Sequence, residues 1–275
     1  MKLKLLVVTY NAAIEASPVI ASALLNQLLP SDVLVSDNST KVEFKQLNQV
    51  YCEQNGLIYI DNHGNVGLSR AYNHAIEILR NEEYDALVLF DQDTEVPANY
   101  FSTVVRSLND YPEVMIHAPY VESPYVYISP KKFDGNKIVR WDAINDLPQT
   151  DLACINSGLV LRKELFDIVG GYEPTLFLDF VDYEFFQRVR NHHLSVKVLD
   201  VRLNQHFSGD NYSTLEGDLH RYAIYVKDLR RYASIHHVSK LYINYFLALR
   251  CGALTKHYRI LKPSLLFFGI SKKGN

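Results

Sequence analysis

Cysteine is scarce in this 275-residue chain, and Cys52, Cys154 and Cys251 form an odd set without a Cys-x-x-Cys pair. That excludes a disulfide framework and a zinc knuckle, and it suits a reducing compartment. Glycine (12) and proline (10) show no period, which excludes collagen-like and low-complexity architectures. No apolar run approaches the ~20 residues of a membrane-crossing helix. The opening run through Leu5-Leu6-Val7-Val8 follows two lysines but stops too soon for a secretion signal, so a cytoplasmic location is expected. What is present is ordinary globular stuff: 48% hydrophobic and 21% charged residues, enough to exclude a disordered chain.

Acidic residues are missing from one end. Nothing after Asp228 is Asp or Glu, while Arg230, Arg231, Lys240, Arg250, Lys256, Arg259, Lys262, Lys272 and Lys273 give that segment +9. The whole chain has 28 basic and 31 acidic residues, so the body up to Asp228 holds 19 bases against 31 acids, a net of −12. A total of −3 excludes a generally basic nucleic-acid binder. The basic end also contains Leu241-Tyr242-Ile243-Asn244-Tyr245-Phe246-Leu247 and Leu265-Leu266-Phe267-Phe268. Residues 213–275 therefore read as a helical appendage with two open interpretations: an anionic membrane surface attracts it, or it packs on protein.

Residues 1–120 alternate strand-like and helix-like patterns. Strands are expected at Leu3 to Val8, Val33 to Val35, Leu57 to Ile60 and Ala86 to Phe90; helices at Ser17 to Leu29, Lys41 to Glu53 and Leu68 to Arg80. This rhythm implies an α/β fold with a parallel sheet and right-handed crossovers. Pro119 to Pro148 shows no period and reads as a long irregular excursion; a strand at Cys154 to Leu161, a helix at Val181 to Asn191 and a strand at Val196 to Leu199 follow.

Ligands collect beyond the carboxyl ends of strands in such sheets. Asp91-Gln92-Asp93 directly follows the most hydrophobic strand, and two carboxylates there offer hard oxygens to a divalent cation. Thr9-Tyr10-Asn11, Asp37-Asn38-Ser39-Thr40 and Asn62 to Gly67 close the other three strands on the same edge. Each alone is a common cap or turn; four together mark a site.

These pieces, with Asn65 to Asn73, Asn156-Ser157-Gly158, Val169 to Tyr172, Phe177 to Glu184 with Arg188, and His206 to Gly209, resemble glycosyltransferase family 2 over about residues 3 to 210. The Asp-Gln-Asp form and Leu178-Asp179-Phe180-Val181-Asp182-Tyr183-Glu184 are most similar to its rhamnosyltransferase branch, although Val181 stands where the family has the Glu of a Glu-Asp pair. The resemblance implies a GT-A (Rossmann-like) catalytic domain over 1–212, with a mixed, mostly parallel sheet flanked by helices. It implies an inverting, metal-dependent transferase taking L-rhamnose from dTDP-rhamnose to a lipid-linked or oligosaccharide acceptor for a bacterial surface polysaccharide, peripheral on the inner membrane face. A UDP-hexose or UDP-galactofuranose donor is the alternative. On this likeness Asp93 and Asp91 with His206 hold Mg2+ or Mn2+, while Thr9, Asn11, Asp37, Asn65, Arg70 and Asp91 bind the nucleotide-sugar. Asp182 is the general base, with Asp179, Glu184 and Trp141 toward the acceptor. Asp182 also admits another reading, an acid at a helix start that favours the helix dipole.

Two rival classes remain. A sugar nucleotidyltransferase would carry a Gly- and Lys/Arg-rich phosphate loop after the first strand, and Thr9-Tyr10-Asn11-Ala12-Ala13 has none. A scaffold without catalysis would have no reason to keep Asp91, Asp93, Asp182 and His206 together.

Overall fold

A computed structural model describes residues 1–26, 28–124, 126–134, 137–140, 147–205, 214–260 and 263. Eleven strands are described: β1 Leu3–Thr9, β2 Val33–Asp37, β3 Ile58–Asp61, β4 Ala86–Asp91, β5 Ile116–Glu122, β6 Tyr127–Ser129, β7 Lys131–Asp134, β8 Lys137–Arg140, β9 Leu152–Ala153, β10 Leu159–Arg162 and β11 Val196–Asn204. The α-helices are α1 Pro18–Leu25, α2 Val42–Asn55, α3 Leu68–Leu79, α4 Tyr100–Asp110, α5 Leu165–Val169, α6 Val181–Asn191, α7 Leu215–Ile235 and α8 Lys240–Tyr258.

The main sheet runs β11-β5-β10-β4-β1-β2-β3, with β6 added on β5. Strands β1 to β4 pair in parallel, β10 runs antiparallel to both β4 and β5, and β11 is parallel to β5. Continuous apolar runs suit such strands because both faces are covered. On one face Leu6, Leu34, Leu87 and Leu89 pack against Ala71, Tyr72 and Ala75 of α3 and Phe185 and Phe186 of α6. On the other, Leu5, Val7, Val88 and Phe90 meet Val19 and Ile20 of α1 and Tyr100, Phe101 and Val104 of α4. Alternate residues of one strand thus serve two different helix layers.

Register decides where the site forms. Thr9 pairs with Asp37, Asp37 with Asp61, and Val8 with Asp91, so the four strand ends make one row. The antiparallel β10 starts at that row, and the parallel β11 finishes there.

Three expectations are corrected. Pro119 to Pro148 contains the end of β5 and the strands β6 to β8, the last two in a small antiparallel sheet β8-β7-β9. Antiparallel edges of mixed residue type have no clean period, which hid them. Cys154 to Leu161 is broken: β9 ends at Ala153, β10 begins at Leu159, and Asn156-Ser157-Gly158 turns between them. Helix α1 stops at Leu25, short of Leu29, and Ser17 stands at its N-cap position, where its hydroxyl donates to the Gln92 carbonyl at 2.7 Å and makes no hydrogen bond to the helix end.

Helices α7 and α8 form an antiparallel hairpin with its own core of Tyr222, Val226, Leu229, Ala233, Ile243, Leu247 and Leu254. It is fastened to the body by the buried Asp228, whose carboxylate accepts the backbone N–H groups of Phe177, Leu178 and Asp179 at 2.8–3.1 Å. No helix among the described residues is long and apolar enough to cross a membrane.

Candidate active site

A cleft of about 390 Å³ opens at the carboxyl ends of β1 and β4. Its floor is Thr9, Tyr10, Asp91, Gln92 and Asp93; one wall is Asn38, Asn65, Gly67 and Leu68, and the other Phe177, Leu178 and, from α7, Gly217, His220, Arg221 and Ile224.

The floor is held by short hydrogen bonds. Gln92 Oε1 accepts from Thr9 Oγ1 at 2.6 Å and from the Tyr10 N–H at 2.9 Å, so the middle residue of the acidic triplet is a brace. The flanking Asp93 is exposed and lines the cleft. Asp91 Oδ2 accepts from Ser157 Oγ and from Gln205 Nε2, both at 2.6 Å. The other end of that amide, Gln205 Oε1, is buried without a hydrogen-bond partner among the described residues.

Asp182 sits on the first turn of α6, half-buried. Asn156 Nδ2 donates to its Oδ1 at 2.8 Å, and Tyr172 O–H in turn donates to Asn156 Oδ1 at 2.8 Å. Asn73, on α3, fixes Tyr172 through both its N–H and its carbonyl at 2.7 Å. Burial first, and then the negative charge of Asp91, push the Asp182 carboxyl up to about 7. A carboxylate poised near neutrality is matched to proton abstraction at physiological pH.

Phe177 closes one wall through the backbone. Leu68 N–H donates to its carbonyl at 2.6 Å, and a Cβ on Gly67 would lie 2.6 Å from the Phe177 ring and 2.7 Å from its carbonyl. With φ at +86° as well, only glycine fits there.

The structure brings Thr9, Asn65, Asp91 and Asp93 to the cleft and leaves other expected residues outside it. Asp37 is fully buried, its Oδ1 accepting from the Ser39 N–H at 2.7 Å and its Oδ2 from Asn48 Nδ2 at 3.0 Å and Tyr59 O–H at 3.2 Å. Asn11 is a staple between the loops after β1 and β2, its Oδ1 accepting from the Thr40 and Lys41 N–H groups at 2.9 and 3.1 Å. Arg70 lies on the outer side of α3 and donates to the Pro174 carbonyl at 3.2 Å. Glu184 is buried, paired with Arg188 at 2.9 Å, one turn along the helix. Asp179 is engaged by both terminal nitrogens of Arg221. Trp141 and His206 lie outside the described residues.

Sequence reasoning missed His220 and Arg221 because nothing in a helical Leu-His-Arg-Tyr distinguishes a cleft residue from a solvated one. Gln205 was missed too, although its place beside His206 offered a cue.

Against known families, residues 5–168 match the model of glycosyl transferase family 2, more than half of the chain. The chain belongs to glycosyltransferase family 2. A dTDP-rhamnosyl transferase of Shigella flexneri, RfbF, is 28% identical over 211 residues, covering 74% of this chain and 68% of that one. Among glycosyltransferases the likeness is thus to the rhamnosyltransferases. Solved structures agree on the GT-A fold. GalNAc-T7 with UDP, GalNAc and Mn2+ gives a TM-score of 0.59 at 14% identity over 93% of this chain, which spans only 58% of that longer one. The mannosyltransferase PcManGT of Pyrobaculum calidifontis, with GDP-Man and Mn2+, gives 0.57 at 14% identity over 100% of this chain and 76% of that one.

For this family 2 glycosyltransferase the cleft's donor set can be tested against a divalent cation. Among the described residues no three His, Cys, Asp or Glu side chains are grouped to hold an ion by themselves. Asp93, Asp91 and the Gln205 oxygen, unpartnered among the described residues, are nonetheless all hard oxygen donors, a set that fits Mg2+ or Mn2+ completed by phosphate and water.

Proposed function

We propose that this glycosyltransferase moves L-rhamnose from dTDP-rhamnose to a hydroxyl of a glycan or lipid-linked glycan, with inversion at the anomeric carbon. The observation that carries the mechanism is the Asp182 carboxyl, raised to about 7 and oriented by Asn156 beside the acidic floor. The likeness to the Shigella flexneri dTDP-rhamnosyl transferase supports the donor.

The nucleoside diphosphate occupies the cleft between Asn65 and the α7 wall, with Arg221 and His220 facing its charge. Asp93 and Asp91, with Gln205 Oε1 and the adjacent His206, are the groups that would hold the cation, whose Lewis acidity would offset charge on the departing diphosphate. The acceptor oxygen forms its bond to the anomeric carbon as the bond to the diphosphate oxygen breaks. Its proton passes to Asp182, a hand-over that contributes around 10²–10⁴-fold. The nucleoside diphosphate leaves with the electron pair. One base and one displacement give inversion without a covalent intermediate.

A thermal-shift screen with Mn2+ tests the donor, because a ligand bound only by the native state raises its melting temperature. dTDP-rhamnose is expected to give the largest rise and to release dTDP on incubation. A shift confined to UDP-sugars would move the reading to a UDP-hexose or UDP-galactofuranose donor.

A further inference from the structure

Helix α8 carries an apolar stripe that the other described residues leave uncovered. Its inner face, Ile243, Leu247 and Leu254, packs on α7. On the opposite side Leu241, Tyr245 and Leu249 succeed one another at four-residue spacing and are 83%, 60% and 54% exposed. Ala248, Gly252 and Ala253 are exposed between and beyond them. Four-residue steps on a helix drift slowly, so these residues share one face. A contiguous apolar face on a folded surface marks an interaction site.

Charge says what it meets. Exposed Lys240 flanks the first turn of the stripe, and exposed Lys256 and Arg259 lie at its far end. The hairpin also exposes Arg230 and Arg231, and no acidic residue follows Asp228. A second copy of the chain would bring the same Lys240, Lys256 and Arg259 against itself, and like charges would oppose the pairing. An anionic lipid surface satisfies both features at once, since apolar side chains enter the headgroup boundary while lysine and arginine meet phosphates.

We propose that this face of α8 docks in the plane of a bilayer that contains anionic lipid, with Leu241, Tyr245 and Leu249 as its apolar contacts and Lys240, Lys256 and Arg259 as its cationic ones. The inference does not depend on which sugar is transferred. Because α7 lies between α8 and the cleft, to which it contributes His220 and Arg221, docking would hold the transfer site one helix layer from the lipid.

The test is co-sedimentation of the full chain with phosphatidylcholine vesicles, with and without phosphatidylglycerol, over a salt series. The comparison protein is Leu241→Ser/Tyr245→Ser/Leu249→Ser, whose substitutions are all at solvent-facing positions; an unchanged melting temperature confirms its fold. Recovery should require phosphatidylglycerol, decline with salt, and fall at least about tenfold in the variant, the scale of losing apolar burial at an interface. A Lys240→Gln/Lys256→Gln variant should lose the salt-sensitive part of binding. Equal recovery of the serine variant, or recovery indifferent to phosphatidylglycerol, would overturn the proposal. So would light scattering that finds a wild-type dimer and a monomeric serine variant without vesicle binding.

Discussion

Asp91 and Asp182 are held by consecutive residues of one turn: Ser157 donates to Asp91 at 2.6 Å and Asn156 to Asp182 at 2.8 Å. Two carboxylates far apart in sequence therefore share one short scaffold, and the charge of the first raises the proton affinity of the second.

Asp182→Asn should lower kcat by at least about 100-fold while leaving donor KM nearly unchanged, the signature of a lost general base. The amide keeps the oxygen that accepts from Asn156, so the turn is preserved. Steady-state kinetics check it; an unchanged kcat would remove Asp182 from that role.

The pH profile follows from the same group. The base must be deprotonated to act, so kcat/KM should rise with pH to a plateau above an apparent pKa of about 7. An acidic limb near 4 instead would mean that Asp182 titrates as an ordinary exposed carboxylate.

Stability separates the two readings of Asp182. Its folded pKa is raised, so the folded state holds a proton that the unfolded chain has released between the ordinary carboxylate range and about 7. The wild-type protein thus loses stability from this group as pH rises through that window. Asp182→Asn escapes the loss, and its melting temperature relative to wild type should climb from pH 5 to pH 8. A helix-dipole acid, its pKa lowered, would be ionised in both states over this range and would give no trend.

Asp93→Asn should raise the Mn2+ concentration for half-maximal transfer by about tenfold or more, as a hard ligand becomes a weaker one. Chelation with EDTA should abolish transfer, and added Mn2+ or Mg2+ should restore it. Transfer that survives EDTA would exclude the cation from the reaction.

Gly67→Ala should destabilise the fold by about 1–3 kcal/mol, combining a disfavoured positive φ with a clash against Phe177. Denaturant melts measure it, and donor affinity should fall as that wall is displaced.

Residue types and spacing alone carried the strand-and-helix rhythm of residues 1–120, because buried parallel strands must be continuously apolar and their crossover helices must carry a stripe. They also placed Thr9, Asn65, Asp91 and Asp93 at one sheet edge, since polar clusters after strands have a position that topology dictates. Tertiary structure decided the rest. Asn48 and Tyr59 hold Asp37, the loop after β2 holds Asn11, and Arg188 holds Glu184, partners that residue type alone does not name. Arg221 looks like a surface arginine and reaches the cleft because Asp228 anchors α7 across Phe177 to Asp179. Which polar groups are spent on holding the chain and which are left for a ligand depends on partners distant in sequence, and local pattern has no access to them.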